Sequence, residues 1–215
     1  LLHHFDSATS NYQFQGFILD RVSLVFVFIT TMVTAASLSQ AGSFFQAEMK
    51  KTKIPEGNVK MFYLVSILFH LSMVMVFVLD NLGYLWIAIE TTTILSAALV
   101  YFNRDRHALE AAWKYFIICR VGIAFALLGT VCLYISSKYG SGSGGTLNIS
   151  ELILLAPQLE ETFRKLGFIF CFLGYGTKAG LFPLHSWLPD AHSEAPAPAS
   201  AMLSGALLKC ARFAI

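Results

Sequence analysis

Hydrophobic residues in this chain fall into long runs separated by short polar links, near Phe17–Leu38, Met61–Leu79, Leu82–Phe102, Tyr115–Ile135, Leu166–Leu188 and from Ala199 to the end. Most runs reach the length of about 20 apolar residues that a membrane-spanning helix needs. In lipid no water satisfies the backbone, so each spanning run must be helical. The pattern predicts an all-α, polytopic transmembrane helical bundle. It has an external segment over 1–16 and a transmembrane domain over 17–215, with six spans, the last cut short at Ile215.

Composition strengthens that picture, because 56% of residues are hydrophobic and 13% are charged, which excludes a soluble enzyme. The net charge of +2 is small and the basic residues sit in links, so no nucleic-acid partner is implied. Lys50, Lys51, Lys53 and Lys60 lie between the first and second runs, and Arg104, Arg106 and Lys114 between the third and fourth. The positive-inside rule makes both links cytoplasmic. The link at Asp80 and Asn81 and the Gly/Ser-rich link Tyr139–Thr146 are then external, as is the N-terminus. The last link, Pro189–Pro198, becomes cytoplasmic by alternation, although it lacks Lys and Arg. The opening segment, with His3, His4 and Asp6 and no initiating methionine, does not read as a signal peptide; the chain reads as the inside of a longer protein. Cys119, Cys132, Cys171 and Cys210 show no CxxC pairing and no clustered histidines, so neither a metal nor an iron–sulfur site is expected, and the thiols read as small packing residues.

Depth separates the informative charges from the ordinary ones. An ionised side chain at mid-bilayer costs about 2.5–3.5 kcal/mol on insertion scales, so such residues tend to mark ion or proton pathways and keep a counter-charge. His70 lies at the centre of the second run, and Glu90 close to the centre of the third. Lys178 is central if the run to Leu188 is counted whole, and Lys209 lies about ten residues into the last helix, hence about 15 Å deep. Arg120, a few residues into the fourth run, and Arg21, beside Asp20, read as anchors that snorkel to headgroups.

Pro183 removes a backbone donor from the fifth run and clashes with the preceding turn. A broken helix is therefore expected between Lys178 and His185, with Gly174, Gly176 and Gly180 adding freedom nearby. Discontinuous helices near the midplane are where transporters place ion sites. His185 reads either as a proton carrier between Lys178 and the cytoplasm or as a structural histidine at the break. His192, beside Asp190 and Glu194, reads as a proton entry point or as a solvated loop charge.

Several segments carry a resemblance: LWIAIETTTILSAALV around Glu90, LEAAWKYFIICRVGIA from Leu109, GYGTKAGLFPLHSWLPDAHSEAPAPASAMLSG from Gly174, and LLKCA around Lys209. Together they resemble the antiporter-like subunits shared by respiratory complex I, group 4 membrane-bound hydrogenases and Mrp cation/proton antiporters, and most of all component F of hydrogenase-4. The resemblance runs from about Leu19 to the C-terminus. It implies that the chain is the first inverted repeat of such a subunit, with Glu90 as the family's key glutamate, Lys178 as the lysine of the broken helix and Lys209 as the central lysine of the next helix. Arg120 departs from the pattern, since an uncharged residue is expected there.

The function so implied is proton translocation in a respiratory oxidoreductase complex of hydrogenase or NADH-quinone oxidoreductase type, by way of Glu90, Lys178, Lys209, His185, His70 and His192. The chain itself is a non-redox subunit with no cofactor; partner subunits carry the metal centres, and the location is the bacterial or archaeal inner (plasma) membrane. Opposite charges about 4 Å apart gain about 4 kcal/mol at an effective dielectric of 20, so a Glu90–Lys178 pair, expected from shared depth, could act as a switch. A stand-alone Na+/H+ antiporter subunit of Mrp type would use the same buried charges. A non-conducting scaffold would use them only to lock helices.

Overall fold

The structure, a computed structural model, describes residues 12–14, 16–51, 56–141 and 144–215. His3, His4, Asp6 and Lys53 lie outside the described residues. A short antiparallel hairpin, β1 (Tyr12–Phe14) and β2 (Phe17–Leu19), precedes the bundle. The first span thus starts later than its hydrophobic run. Phe17–Leu19 is strand, and α1 (Arg21–Lys51) begins where the Asp20 carboxylate accepts the N–H of Ser23 at 2.6 Å.

Then follow α2 (Glu56–Val78), α3 (Leu82–Val100) and α4 (Arg106–Ser141). Each of α1 to α4 is long and apolar enough to cross a membrane. Arg106 and Lys114, expected in a link, lie in the first turns of α4. After a short helix α5 (Ile149–Leu154), the fifth run forms α6 (Glu161–Lys178), an irregular turn, and α7 (Leu188–Glu194). The sixth is α8 (Ala197–Met202), a π-helical stretch Leu203–Leu207, and α9 (Leu208–Phe213). Apolar side chains on the outer faces, among them Phe28, Leu64, Ile87, Ile117 and Phe168, are open. Aromatic clusters such as Phe45, Phe62 and Phe102 fill the interior.

The links sort onto two ends. At one, the Asp80 N–H donates to Gly16 O and the Ile149 N–H to Asp80 O, while the Asp80 carboxylate accepts from the backbone and hydroxyl of Ser150. At the other, Asn103 donates to Glu194 O, and Lys114 lies 3.3 Å from Asp190. The Pro189–Pro198 link therefore shares an end with the basic α3–α4 link, as alternation required.

The approach of α4 to α6 fixes the position of everything that follows. A Cβ built on Gly174 would stand 2.5 Å from Ala126 N, and one on Gly129 2.7 Å from Cys171 N. Backbone meets backbone at both places, which only glycine allows, as in close helix packing within membranes.

Candidate functional site

Helix α6 stops at Lys178 because of glycine rather than proline. Gly180 takes a left-handed φ of 69°, Leu181 N–H donates to Gly176 O at 3.0 Å, and Gly180 N–H to Thr177 O at 3.3 Å. This is a Schellman motif, which satisfies the last carbonyls of a helix and turns the chain away. The expected interruption between Lys178 and His185 is present, but it begins before Pro183 is reached. The indole of Trp187, beyond the break, donates to Thr177 O at 3.0 Å and ties the two sides together.

Lys178 is fully buried at that helix end. Its ammonium donates to Thr93 Oγ1 at 2.8 Å and to the Tyr115 hydroxyl at 2.7 Å. The Thr93 hydroxyl itself donates to Ile89 O, and the Tyr115 hydroxyl lies 2.5 Å from Ser96 Oγ, whose own donor is taken by Thr92 O. A chain of hydroxyls results, from Lys178 to Tyr115 to Ser96, in which the ammonium donates to Tyr115 and to Thr93. Buried polar groups are tolerated only when so satisfied. The Tyr115 and Trp187 rings, 4.8 Å apart between centroids, close the cage.

Glu90 and Lys178 do not form the expected direct pair. Glu90, buried about 12 Å from the start of α3 by helical rise, meets Arg120 instead, with Nε 2.7 Å from Oε1. Arg120, expected as a headgroup anchor, thus pairs with Glu90 as its counter-ion. The reason is geometric: α4 turns its side chain toward α3, and Phe116, one turn earlier, carries the guanidinium at 4.9 Å from its ring centroid. The N–H is not aimed at the oxygen, so both shielded carboxylate oxygens of Glu90 lack a hydrogen bond from the described residues. The contact is one of charge rather than of direction.

The remaining candidates are spread out. His185 sits in the turn before α7, not on a resumed helix; its ring lies 5.6 Å from that of Phe182, and its buried Nδ1 has no partner among the described residues. His192 Nδ1 lies 2.7 Å from Ser200 Oγ, joining α7 to α8. His70 faces α1, with Thr31 and Thr34 hydroxyls at 3.4 and 3.2 Å, and takes its partners there rather than from the Lys178 cage. Lys209, half-buried, lies in the first turn of α9, separated from the π-helical stretch by Leu208, and has neither ion pair nor hydrogen bond among the described residues. Among the described residues no three His, Cys, Asp or Glu side chains gather as a metal site.

Sequence reasoning missed Thr93, Ser96 and Tyr115. The available signal was spacing: Thr93 lies one turn after Glu90, and Ser96 one turn after Thr93, on a common stripe.

The described residues thus form a bundle of helices apolar enough to span a membrane, with a sealed lysine at a broken helix and a carboxylate–guanidinium contact on the neighbouring helices. The family described as NADH:quinone oxidoreductase/Mrp antiporter, TM, matches residues 80–215, and the chain belongs to it. It is 39% identical over 202 residues to a hydrogenase-4 component F homolog of Methylacidiphilum infernorum, covering 93% of this chain and 42% of that protein. It is 29% identical over 199 residues to NADH-quinone oxidoreductase subunit N of Desulforudis audaxviator, covering 92% and 37%. Among solved structures, it superposes on a chain of respiratory complex I from Thermus thermophilus with TM-score 0.74 at 26% identity, covering 95% of this chain and 41% of that one. A membrane-bound sulfane sulfur reductase, an archaeal respiratory membrane complex, matches with TM-score 0.76 at 26% identity, covering 93% and 38%. The chain spans roughly two fifths of the length of these relatives.

Proposed function

We propose that this chain is part of an antiporter-like subunit that moves protons across a bacterial or archaeal plasma membrane, within a respiratory complex of hydrogenase or NADH-quinone oxidoreductase type. The observation that carries this reading is Lys178, fully buried at the end of a broken membrane helix and held, among the described residues, by neutral hydroxyls. A lysine that served merely to lock helices would be expected to hold a carboxylate. Hydroxyls accept from the ammonium and from the neutral amine alike, so the side chain can change its protonation without losing its place.

Glu90 supplies the nearby negative charge, Lys209 the next basic group, and His185 and His192 a route toward the end that bears the basic links. His70, bound to α1, stands at the margin of this path. Redox chemistry belongs to partner subunits. The relatives named for hydrogenase and NADH-quinone oxidoreductase favour this reading over a stand-alone sodium/proton antiporter.

The test is Lys178→Ala in the full-length protein within its complex, reconstituted in vesicles. Electron transfer should persist while proton uptake falls more than about tenfold. Wild-type proton uptake with normal assembly would remove the proposal. Uptake driven by a sodium gradient without any electron donor would favour the antiporter reading.

A further inference from the structure

The contact between Glu90 and Arg120 has no place in the lysine-to-lysine path, yet it takes the one carboxylate that path needs. Arginine stays protonated under all ordinary conditions, so Arg120 can hold a charge but cannot relay a proton. With its side chain 48% exposed on the flank of the bundle, it is the less confined of the two cations available to Glu90. Lys178, the other, is fixed in its cage.

We infer that Arg120 is a positioning residue that draws Glu90 off Lys178, so that exchange of the carboxylate between a permanent cation and a titratable one decides whether Lys178 keeps its proton. The inference rests on the proposed role of Lys178. Three observations carry it. The carboxylate lies 2.7 Å from the guanidinium without an aimed hydrogen bond, so no directional bond from the described residues holds it there. Thr93, which holds the lysine, stands one turn from Glu90 on the same stripe of α3, so the carboxylate and one of the lysine's acceptors share a face of one helix. Tyr115, the other holder, lies on the same helix as Arg120, so the cage and the competing cation share one support. With Glu90 on Arg120, the hydrogen-bond partners of Lys178 among the described residues are neutral hydroxyls, the arrangement assigned to proton release; with Glu90 on Lys178, the ammonium is retained.

The experiment uses the full-length subunit in its complex, in vesicles, with proton uptake measured per electron transferred. Arg120→Gln should lower uptake about tenfold at unchanged assembly, because Glu90 then stays on Lys178. Arg120→Lys, which restores a cation, should recover most of it. Glu90→Gln combined with Arg120→Gln should be no worse than Glu90→Gln alone, since Arg120 acts through Glu90. Wild-type uptake in Arg120→Gln, equal loss in the Lys and Gln variants, or multiplying losses in the double variant would each overturn the inference. If Arg120→Gln does not assemble, Arg120→Met, which keeps the packing on Phe116, gives the same readings. Should Lys178→Ala retain uptake, the functional reading itself falls; should Lys178→Ala lose it while Arg120→Gln does not, only the role of Arg120 falls.

Discussion

Two lysines stand at irregular points of adjoining helices, and their surroundings differ sharply. Lys178 ends α6 at a glycine-made stop, has no exposure, and finds an acceptor on each of α3 and α4. Lys209 follows a π-helical stretch, is half-buried, and has no partner among the described residues. Backbone irregularity by itself therefore does not make a charged site. What makes the first one is rigid support, because α6 can reach the Tyr115 hydroxyl only where its glycines let it touch α4. The second has a local widening of the helix, a feature frequent at functional sites, and a side chain free to change partners.

The contrast can be broken most severely at Lys209. If it receives the proton that Lys178 gives up, Lys209→Ala should abolish proton uptake in vesicles while the complex assembles and transfers electrons. Wild-type uptake would reduce Lys209 to a packing residue. Next in size, Gly174→Ala should cost about 1–3 kcal/mol, because its methyl group meets the backbone of Ala126. Gly205→Ala, beside the second lysine, meets the Val33 side chain at 2.8 Å rather than a backbone atom. Alanine's helix preference of about 1 kcal/mol over glycine should offset part of that shift and leave the smaller loss. Thermal denaturation of the two variants in detergent reads the difference, and equal losses would contradict the account of α4 and α6.

Tyr115→Phe sharpens the comparison further by removing one acceptor from Lys178 while leaving Thr93. Loss of a hydrogen bond to a charged group is worth about 1.5–3 kcal/mol, so uptake should fall by about tenfold or more, with Ser96→Ala weaker because Ser96 touches the tyrosine and not the lysine. The smallest effect lies at the far end of α6. Glu160 caps that helix by accepting the Phe163 N–H at 2.7 Å, which holds its carboxyl below the usual carboxylate range. A lowered folded value means that the stabilisation is complete above the unfolded value near about 4.3 and disappears as pH falls through the folded one. Amide exchange at Phe163 should rise below about pH 4 in the native protein and show no such step in Glu160→Gln.

Much of this was legible from residue order. Apolar runs marked the spans, Pro183 marked the region of the break, and the depth of Lys178 and Glu90 singled them out. The partners were not legible, for physical reasons. Threonine and serine sit inconspicuously in apolar helices because their hydroxyls bond back to the preceding turn, as Thr92, Thr93 and Ser96 do, so nothing in their order marks them as a lysine's cage. Arg120 looked like an anchor because shallow arginines usually are; only the packing of α4 on α3 shows that its exposed side chain reaches Glu90. The hairpin before α1 was hidden because Phe17–Leu19 continues the hydrophobic run, and the Asp20 cap that separates them is a signal of a few atoms.

The ion pair between Lys114 and Asp190 gives the surface a short handle on the interior. Asp190 belongs to the segment after the break, Lys114 grips it, and the very next residue along the chain, Tyr115, grips Lys178. The exposed ion pair and the sealed ammonium are thus anchored on consecutive residues of α4, a single peptide unit apart.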